Sequence, residues 1–240
     1  MLNLVAAELL KLKNNRLFLV ATLLTLLIPA DLVWMDAGRP QWWIEEIGLQ
    51  TWFQASVQTT LMIVGPILSG FVLTQLIQQE YAERTIISML TAPVPRASLL
   101  WGKLTVWLLW NIVVALETWA VLAVGSFIIF PEDAAMASVW YLGRLIVKSS
   151  LLSVGLILPL LAVCVWQRKL FYPSLLGTLF LTMLSTLSYQ AWPVLPFMAV
   201  NILFSGEATE AYLLVGTISL TIWALAGLIA AFASFRRQAL

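Results

Sequence analysis

The chain has 240 residues, of which 61% are hydrophobic and 10% charged, with a formal net charge of +1 and a mean hydropathy of +0.94. Its repeated apolar runs of about eighteen residues or more are too hydrophobic for a soluble domain. The composition therefore excludes a soluble protein and indicates a polytopic membrane protein.

The first 16 residues are predicted to form an interfacial helix ahead of the membrane spans. Apolar and polar residues in this leader fall on opposite helical faces, with Leu2, Val5, Leu9 and Leu12 on one face and Glu8, Lys11 and Asn15 on the other. Such a helix would lie along the inner surface of the membrane. The alternative is an ordinary charged flank that only sets the topology.

Six segments are long enough to cross a hydrocarbon core of about 30 Å, which takes about 20 helical residues. Their apolar residues run continuously instead of alternating, which favours helices over the strands of a transmembrane barrel. The sequence therefore predicts an all-α polytopic fold with one transmembrane domain and spans at 17–35, 57–77, 104–130, 138–166, 170–188 and 211–235.

The positions of Lys and Arg predict the orientation of these spans, because cytoplasmic connections carry the excess of positive charge. One side of the membrane has only Arg39 outside the spans. The other side has Lys11, Lys13, Arg16, Arg84, Arg96, Lys103, Arg168, Lys169, Arg236 and Arg237. Both termini are therefore expected in the cytoplasm.

Residues 78–103 form a substantial polar interruption between the second and third spans. No Pro or Gly occurs between positions 78 and 89, so the second span can continue as a helix into the cytosol. Pro93 and Pro95 then break that helix, because proline lacks an N–H donor and pushes the preceding residue out of the α region. A second helix restarts at Arg96, which predicts a cytoplasmic helical hairpin.

Residues 189–206, between the fifth and sixth spans, are too apolar for a solvated loop and too short for two further crossings. A re-entrant hairpin that enters and leaves on the outer side fits this composition. In the alternative, the fifth helix runs long and kinks at Pro193.

The charged residues inside the spans are few, since a charge in the hydrocarbon is costly unless it is paired or hydrated. Glu117 in the third span and Lys148 in the fourth are expected at similar depth in neighbouring helices. They are predicted to form a buried ion pair, with Arg144 facing water or an acidic headgroup near the outer surface. The pair would either clamp two helices together or line a substrate path.

Several enzyme classes are excluded by residues that the chain does not contain. It has no histidine and no phosphate-binding GxxxxGK[ST] run. A Ser–His site, an HExxH site and an ATPase site are therefore ruled out, and one embedded carboxylate cannot form an aspartyl dyad. No catalytic residue, metal site or cofactor is predicted in this chain. Energy for any transport must come from a partner or from an ion gradient.

The run ExxERTIxxMLTxPVxRxxLLxGK at positions 80–103 resembles the first cytoplasmic loop of type 2 ABC transporter permeases. It is most similar to the six-helix subunits of bacitracin and lantibiotic resistance or immunity exporters. The span count, the leader and the predicted re-entrant hairpin extend the resemblance over the whole chain.

This resemblance implies a bacterial plasma-membrane subunit that pairs as a homodimer or heterodimer and is driven by two ATP-binding subunits, which hold the ATP and Mg. The loop after the second span would be the coupling helix that contacts the ATPase. The matching positions are Glu80, Glu83, Arg84 and Thr85, with Pro93 and Arg96 in the same hairpin. Either glutamate could make the contact.

The resulting prediction is the permease of an ATP-driven exporter for an amphipathic antimicrobial peptide or a lipid-linked compound. Membrane lipid is expected around it, and no nucleic-acid partner is predicted. One alternative is an ion-coupled secondary carrier that uses Glu117, although no convincing internal repeat supports it. Another is a membrane sensor or regulatory subunit.

Overall fold

The computed structural model describes residues 2–13, 15–82, 95–167, 172–186, 192–206 and 208–236. Helices and short turns account for these residues, and no strand occurs among them. Helices suit the long apolar runs because a spanning helix satisfies its own backbone hydrogen bonds. The helices are α1 (Leu2–Lys13), α2 (Arg16–Ala37), α3 (Gln41–Ile47), α4 (Leu49–Val57), α5 (Gly65–Ala82), α6 (Arg96–Ile129), α7 (Met136–Ile157), α8 (Leu160–Trp166), α9 (Tyr172–Thr186), α10 (Pro196–Ser205) and α11 (Glu210–Arg236).

Five helical runs in the described residues are long and apolar enough to cross a membrane: Arg16–Ala37, Leu49–Glu80, Ala97–Ile129, Met136–Trp166 and Glu210–Arg236. The prediction of an all-helical polytopic membrane protein is therefore confirmed. The expected span at 170–188 overlaps α9, which has 15 described residues. The six-span arrangement and the re-entrant segment remain predictions.

Asn15 separates the leader helix α1 from the first spanning helix α2. Its side-chain oxygen accepts hydrogen bonds from the backbone N–H groups of Leu17 at 3.0 Å and Phe18 at 3.4 Å. These N–H groups have no partner within the helix, so the Asn15 side chain starts α2 as an N-cap.

The second spanning run begins at Leu49, earlier than the expected position 57, and contains a π-helical segment at Gln58–Val64. At the end of this segment the Gly65 N–H bonds to the Thr60 carbonyl, five residues back. Pro66 follows directly. A proline ring collides with the carbonyl four residues earlier in a regular α-helix, so the wider turn makes room for it.

The last spanning helix, α11, packs closely against the break between α7 and α8. A Cβ atom on Gly227 would lie 2.2 Å from the Cα of Pro159, which is too close for any side chain. Trp223 donates to the Leu156 carbonyl at 3.2 Å in the same region. Glycine is thus required where α11 meets the backbone of this break.

Buried hydroxyl groups line the contact between α9 and α5. Ser174, Thr178 and Thr182 are all buried on one face of α9, and Thr178 and Thr182 donate to backbone carbonyls four residues earlier. Thr74 on α5 donates to the Ser174 hydroxyl at 3.0 Å. A Cβ on Gly70 would lie 2.4 Å from the Thr178 side chain, so small and hydroxyl-bearing residues let these helices approach closely.

Candidate functional site

Four charged side chains meet where α1, α5 and α6 come together, and they are called the ion cluster below: Glu8, Lys11, Glu80 and Lys103. The Lys103 Nζ lies 2.7 Å from Glu80 Oε1 and 3.1 Å from Glu8 Oε2. The Lys11 Nζ lies 2.9 Å from Glu8 Oε1 and 3.2 Å from Glu80 Oε1. Each lysine therefore contacts both carboxylates, and the four formal charges sum to zero.

The ion cluster joins the two ends of the predicted hairpin. Glu80 lies in the last turn of α5 and Lys103 lies in the third turn of α6, on opposite sides of the polar segment. Lys103 also donates to the Leu76 carbonyl on α5 at 2.7 Å. An ion pair and a hydrogen bond thus hold the two arms together at their base.

The leader helix α1 also contacts the base of the hairpin. Glu8 and Lys11 are three residues apart on α1, so they lie on the same helical face. Asn15, just after α1, donates from Nδ2 to the side-chain oxygen of Gln79 at 3.1 Å. The sequence showed that these polar residues share a face, but it did not show that this face contacts α5 and α6.

Three members of the ion cluster are almost fully removed from solvent. The side chains of Glu8, Glu80 and Lys103 are only 6–7% exposed, whereas Lys11 is 47% exposed. Breaking a buried, balanced network leaves an uncompensated charge, which is much more costly than breaking a surface pair. The ion cluster is therefore expected to hold one arrangement of α1, α5 and α6.

The pKa values of the two α1 residues shift as expected for a paired cluster. Burial of Glu8 would raise its pKa, but the charge of Lys103 and the hydrogen bond and charge of Lys11 outweigh burial and lower it below the ordinary 4.5. Burial of Lys11 would lower its pKa, but its hydrogen bond and attraction to Glu8, with the attraction to Glu80, raise it above 10.5. Both residues stay charged near neutral pH.

A second anchor holds the hairpin arm of α5 to the far end of the fourth span. The buried Gln78 side chain donates from Nε2 to the backbone carbonyls of Cys164 at 2.8 Å and Gln167 at 2.6 Å. These carbonyls lie at the C-terminal end of α8, where helix carbonyls lack intrahelical partners. Movement of the hairpin base would therefore act on α5 and α8 together.

Among the predicted coupling residues, Glu80 lies in the ion cluster. Arg96 is the first residue of α6. The remaining positions, Glu83, Arg84, Thr85 and Pro93, lie outside the described residues, so their predicted role stays a prediction.

The expected ion pair between Glu117 and Lys148 is wrong. Glu117 on α6 accepts a hydrogen bond from the Thr25 hydroxyl of α2 at 3.3 Å. Lys148 on α7 donates to the Phe204 carbonyl of α10 at 3.2 Å. Counting residues gave both groups similar depth, but it did not give the direction in which each helix face points. Arg144 is exposed on α7.

A small cavity lies between the π-helical segment, α6 and α7. Its volume is about 10 Å³, close to the minimum for one water molecule. Its lining residues are Leu61, Gly65, Asn111, Val114, Ser150 and Ser153. The buried Ser150 hydroxyl has no hydrogen-bond partner, so one water is a suitable occupant, whereas a peptide or lipid would not fit.

The described residues contain no group of three or more His, Cys, Asp and Glu side chains that could hold a metal ion. The candidate site is therefore described by the ion cluster, in which two lysines and two glutamates join three helices.

The chain is similar to known transport proteins. Residues 4–185 match the family model described as ABC-2 family transporter protein, a stretch that includes every member of the ion cluster. The chain is also similar to the bacitracin transport permease protein BCRB of Bacillus licheniformis. The two are 26% identical over 178 residues, which cover 72% of this chain and 85% of that protein.

Proposed function

Because this chain belongs to the ABC-2 family of transporter proteins, we propose that it is the membrane subunit of an ATP-driven exporter. A separate ATP-binding subunit supplies the energy and holds the ATP and Mg. Two such subunits serve two permease chains, which are either identical or a pair of related chains. The complex lies in the plasma membrane of a bacterium.

In this proposal the ATP-binding subunit contacts the hairpin between α5 and α6. The observation that carries it is the ion cluster, since Lys103 binds Glu80 across the base of the hairpin at 2.7 Å. A displacement of the hairpin would then move both of its arms, and α1 with them through the contact of Glu8 with Lys103. Because Glu80 is held between two lysines, we assign the contact with the ATPase to Glu83, with Arg84 and Thr85 beside it.

The proposed topology has six spans with both termini in the cytoplasm and α1 along the inner membrane surface. Segment 189–206 is proposed to be re-entrant. Supporting this, the Ser219 hydroxyl donates to the Val194 carbonyl. Ser219 lies nine residues after Glu210, or about 14 Å along α11. The segment before α10 thus contacts α11 about 14 Å from its first residue. Helix α10 then runs back towards the first residue of α11.

The proposed substrate class is supported by the name of one relative, a bacitracin transport permease. We propose that this chain exports an amphipathic peptide antibiotic of the bacitracin or lantibiotic type, or a lipid-linked compound. The direction of transport, from the membrane or cytoplasm outward, is part of the same proposal.

Affinity purification of the tagged chain from its own cells tests the coupling proposal. The wild type should capture an ATP-binding subunit, and ATPase activity should appear in that complex but not in the chain alone. Glu83→Ala should lose the captured ATPase. The matched control is Glu45→Ala, an exposed glutamate on α3 at the opposite end of the spans, which should retain it.

Two results would contradict the proposal. A wild-type chain that captures no ATPase, and whose transport stops when the ion gradient is collapsed, would favour a secondary carrier. Equal loss of capture in Glu83→Ala and Glu45→Ala would mean that the hairpin is not the contact.

A further inference from the structure

Two cations on one face of α7 have no carboxylate partner among the described residues. Arg144 and Lys148 are four residues apart and both are exposed. Within the described parts of the chain, Arg144 has no hydrogen-bond or ion-pair partner, and Lys148 has only the Phe204 carbonyl at 3.2 Å. This face therefore carries two positive charges that the described residues do not neutralise.

The length of the helical run places these cations near one edge of the membrane. Arg144 precedes Trp166, at the far end of the Met136–Trp166 run, by 22 residues, which is about 33 Å at the α-helical rise. Lys148 precedes it by 18 residues, or about 27 Å. The hydrocarbon core is about 30 Å thick, so Arg144 lies at its edge and Lys148 just inside. The exposed Trp140, one turn beyond Arg144, suits the aromatic belt at that edge.

The C-terminal end of α10 lies next to Lys148 on this face. Gly206 follows α10 with a left-handed φ of 69°, and its N–H bonds to the Ile202 carbonyl, which ends the helix. An ideal Cβ on Gly206 would lie 3.6 Å from the Lys148 Nζ. The Lys148 amine is thus held at the C-terminal end of α10, where helix carbonyls favour a cation.

We propose that Arg144 and Lys148 bind the phosphate of an anionic lipid in the leaflet at this edge of the membrane. Lipid phosphates lie at the depth of Arg144. Side chains four residues apart on a helix start about 5–6 Å apart, so one phosphate can accept hydrogen bonds from both. The guanidinium offers a planar pair of donors and the ammonium a compact charge. This proposal rests on the membrane-spanning fold and does not depend on an ATPase or on a peptide substrate.

The purified chain in detergent tests the proposal through its one cysteine. Cys164 is fully buried, so a thiol-reactive dye labels it when the chain unfolds. Added phosphatidylglycerol should raise the unfolding midpoint more than phosphatidylcholine does, and the titration gives an apparent affinity. Arg144→Gln should weaken that affinity about fivefold and Arg144→Gln/Lys148→Gln about thirtyfold.

Arg39→Gln is the matched control, because Arg39 is already paired with Asp36 at 3.8 Å and lies over the Trp43 ring. It should leave the phosphatidylglycerol response unchanged. If the double variant fails to fold, Arg144→Gln alone decides, since Arg144 has no partner to lose among the described residues.

Three results would overturn the proposal. In the first, Arg144→Gln responds to phosphatidylglycerol as the wild type does. In the second, inorganic pyrophosphate gives the same shift as the lipid, which would assign the site to a free anion. In the third, Arg144→Gln changes the oligomeric state, which would make this face an interface between protein chains.

Discussion

Replacing Lys103 with Met is the sharpest test of the ion cluster, because it removes one charge from the centre of a buried network. The variant leaves Glu8 and Glu80 with Lys11 as their shared cation in the cluster. Removing one partner of a buried ion pair costs about 3–5 kcal/mol. Since Lys11 remains 3.2 Å from Glu80, we expect the lower end, about 3 kcal/mol.

A second variant separates charge imbalance from lost packing. Lys103→Met/Glu80→Gln removes one charge of each sign and leaves Glu8 paired with Lys11 at 2.9 Å. The double variant should therefore be more stable than the sum of the single variants predicts. We expect an interaction free energy of about 1–3 kcal/mol between positions 103 and 80, as found for directly contacting groups.

The assay is reversible unfolding in mixed detergent micelles, followed by labelling of the buried Cys164. Arg39→Met is the control. Its partner Asp36 is 3.8 Å away and Arg39 is 48% exposed, so its loss should cost less than about 1 kcal/mol. If Lys103→Met costs no more than Arg39→Met, or if positions 103 and 80 show no interaction free energy, the ion cluster is not the buried network described above.

Two further predictions concern the free energy of unfolding, followed by circular dichroism because thiol labelling itself depends on pH. The pKa of Glu8 is lowered, so its contribution to the free energy of unfolding is complete above pH 4.5 and is lost as pH falls through the lower pKa of the folded state. The pKa of Lys11 is raised, so its contribution is complete below pH 10.5 and is lost as pH rises through the higher pKa of the folded state. The stability difference between wild type and Glu8→Gln should therefore be greatest between these limits, and a difference that does not change with pH would contradict this. Gly227→Ala should destabilise the chain by about 1–3 kcal/mol, because its Cβ would lie 2.2 Å from Pro159 Cα. Gly38→Ala, where the nearest atom is 3.8 Å away, should change stability by less than about 0.5 kcal/mol, and equal effects of the two substitutions would refute the close contact.

The long apolar helices could be predicted from the sequence because hydrophobicity alone determines where a chain enters lipid. The expected span at 17–35 lies within α2 at Arg16–Ala37, and the expected span at 211–235 lies within α11 at Glu210–Arg236. Segment 49–57 was missed because it includes polar residues at positions 50, 51 and 54. Its other face is buried through Leu49, Trp52 and Phe53, which is a matter of tertiary packing.

The candidate site was harder to predict because distance along a helix gives depth but not direction. The Glu117–Lys148 pair failed for this reason, since the two side chains point to α2 and α10 instead of to each other. Glu80 was singled out from its motif, and it binds Lys103. Nothing in the motif indicates that Glu8, 72 positions earlier, lies 3.1 Å from the same Lys103. Long-range ion pairs need the packing of three helices to be known.

The contact between α1 and the hairpin base joins the leader to the second and third spans. A helix that only marked the topology would need its basic residues and no acidic partner, yet Glu8 is buried and binds Lys103. Through Lys103 and Gln78, the same base is also joined to the Leu76 carbonyl and to the end of α8. A displacement of the hairpin therefore cannot be confined to one arm: it must either move α1, α5, α6 and α8 together or break the buried charge pairs and the Gln78 hydrogen bonds. The second course is the costly one, so the arrangement favours concerted movement of the spans over local bending of the hairpin.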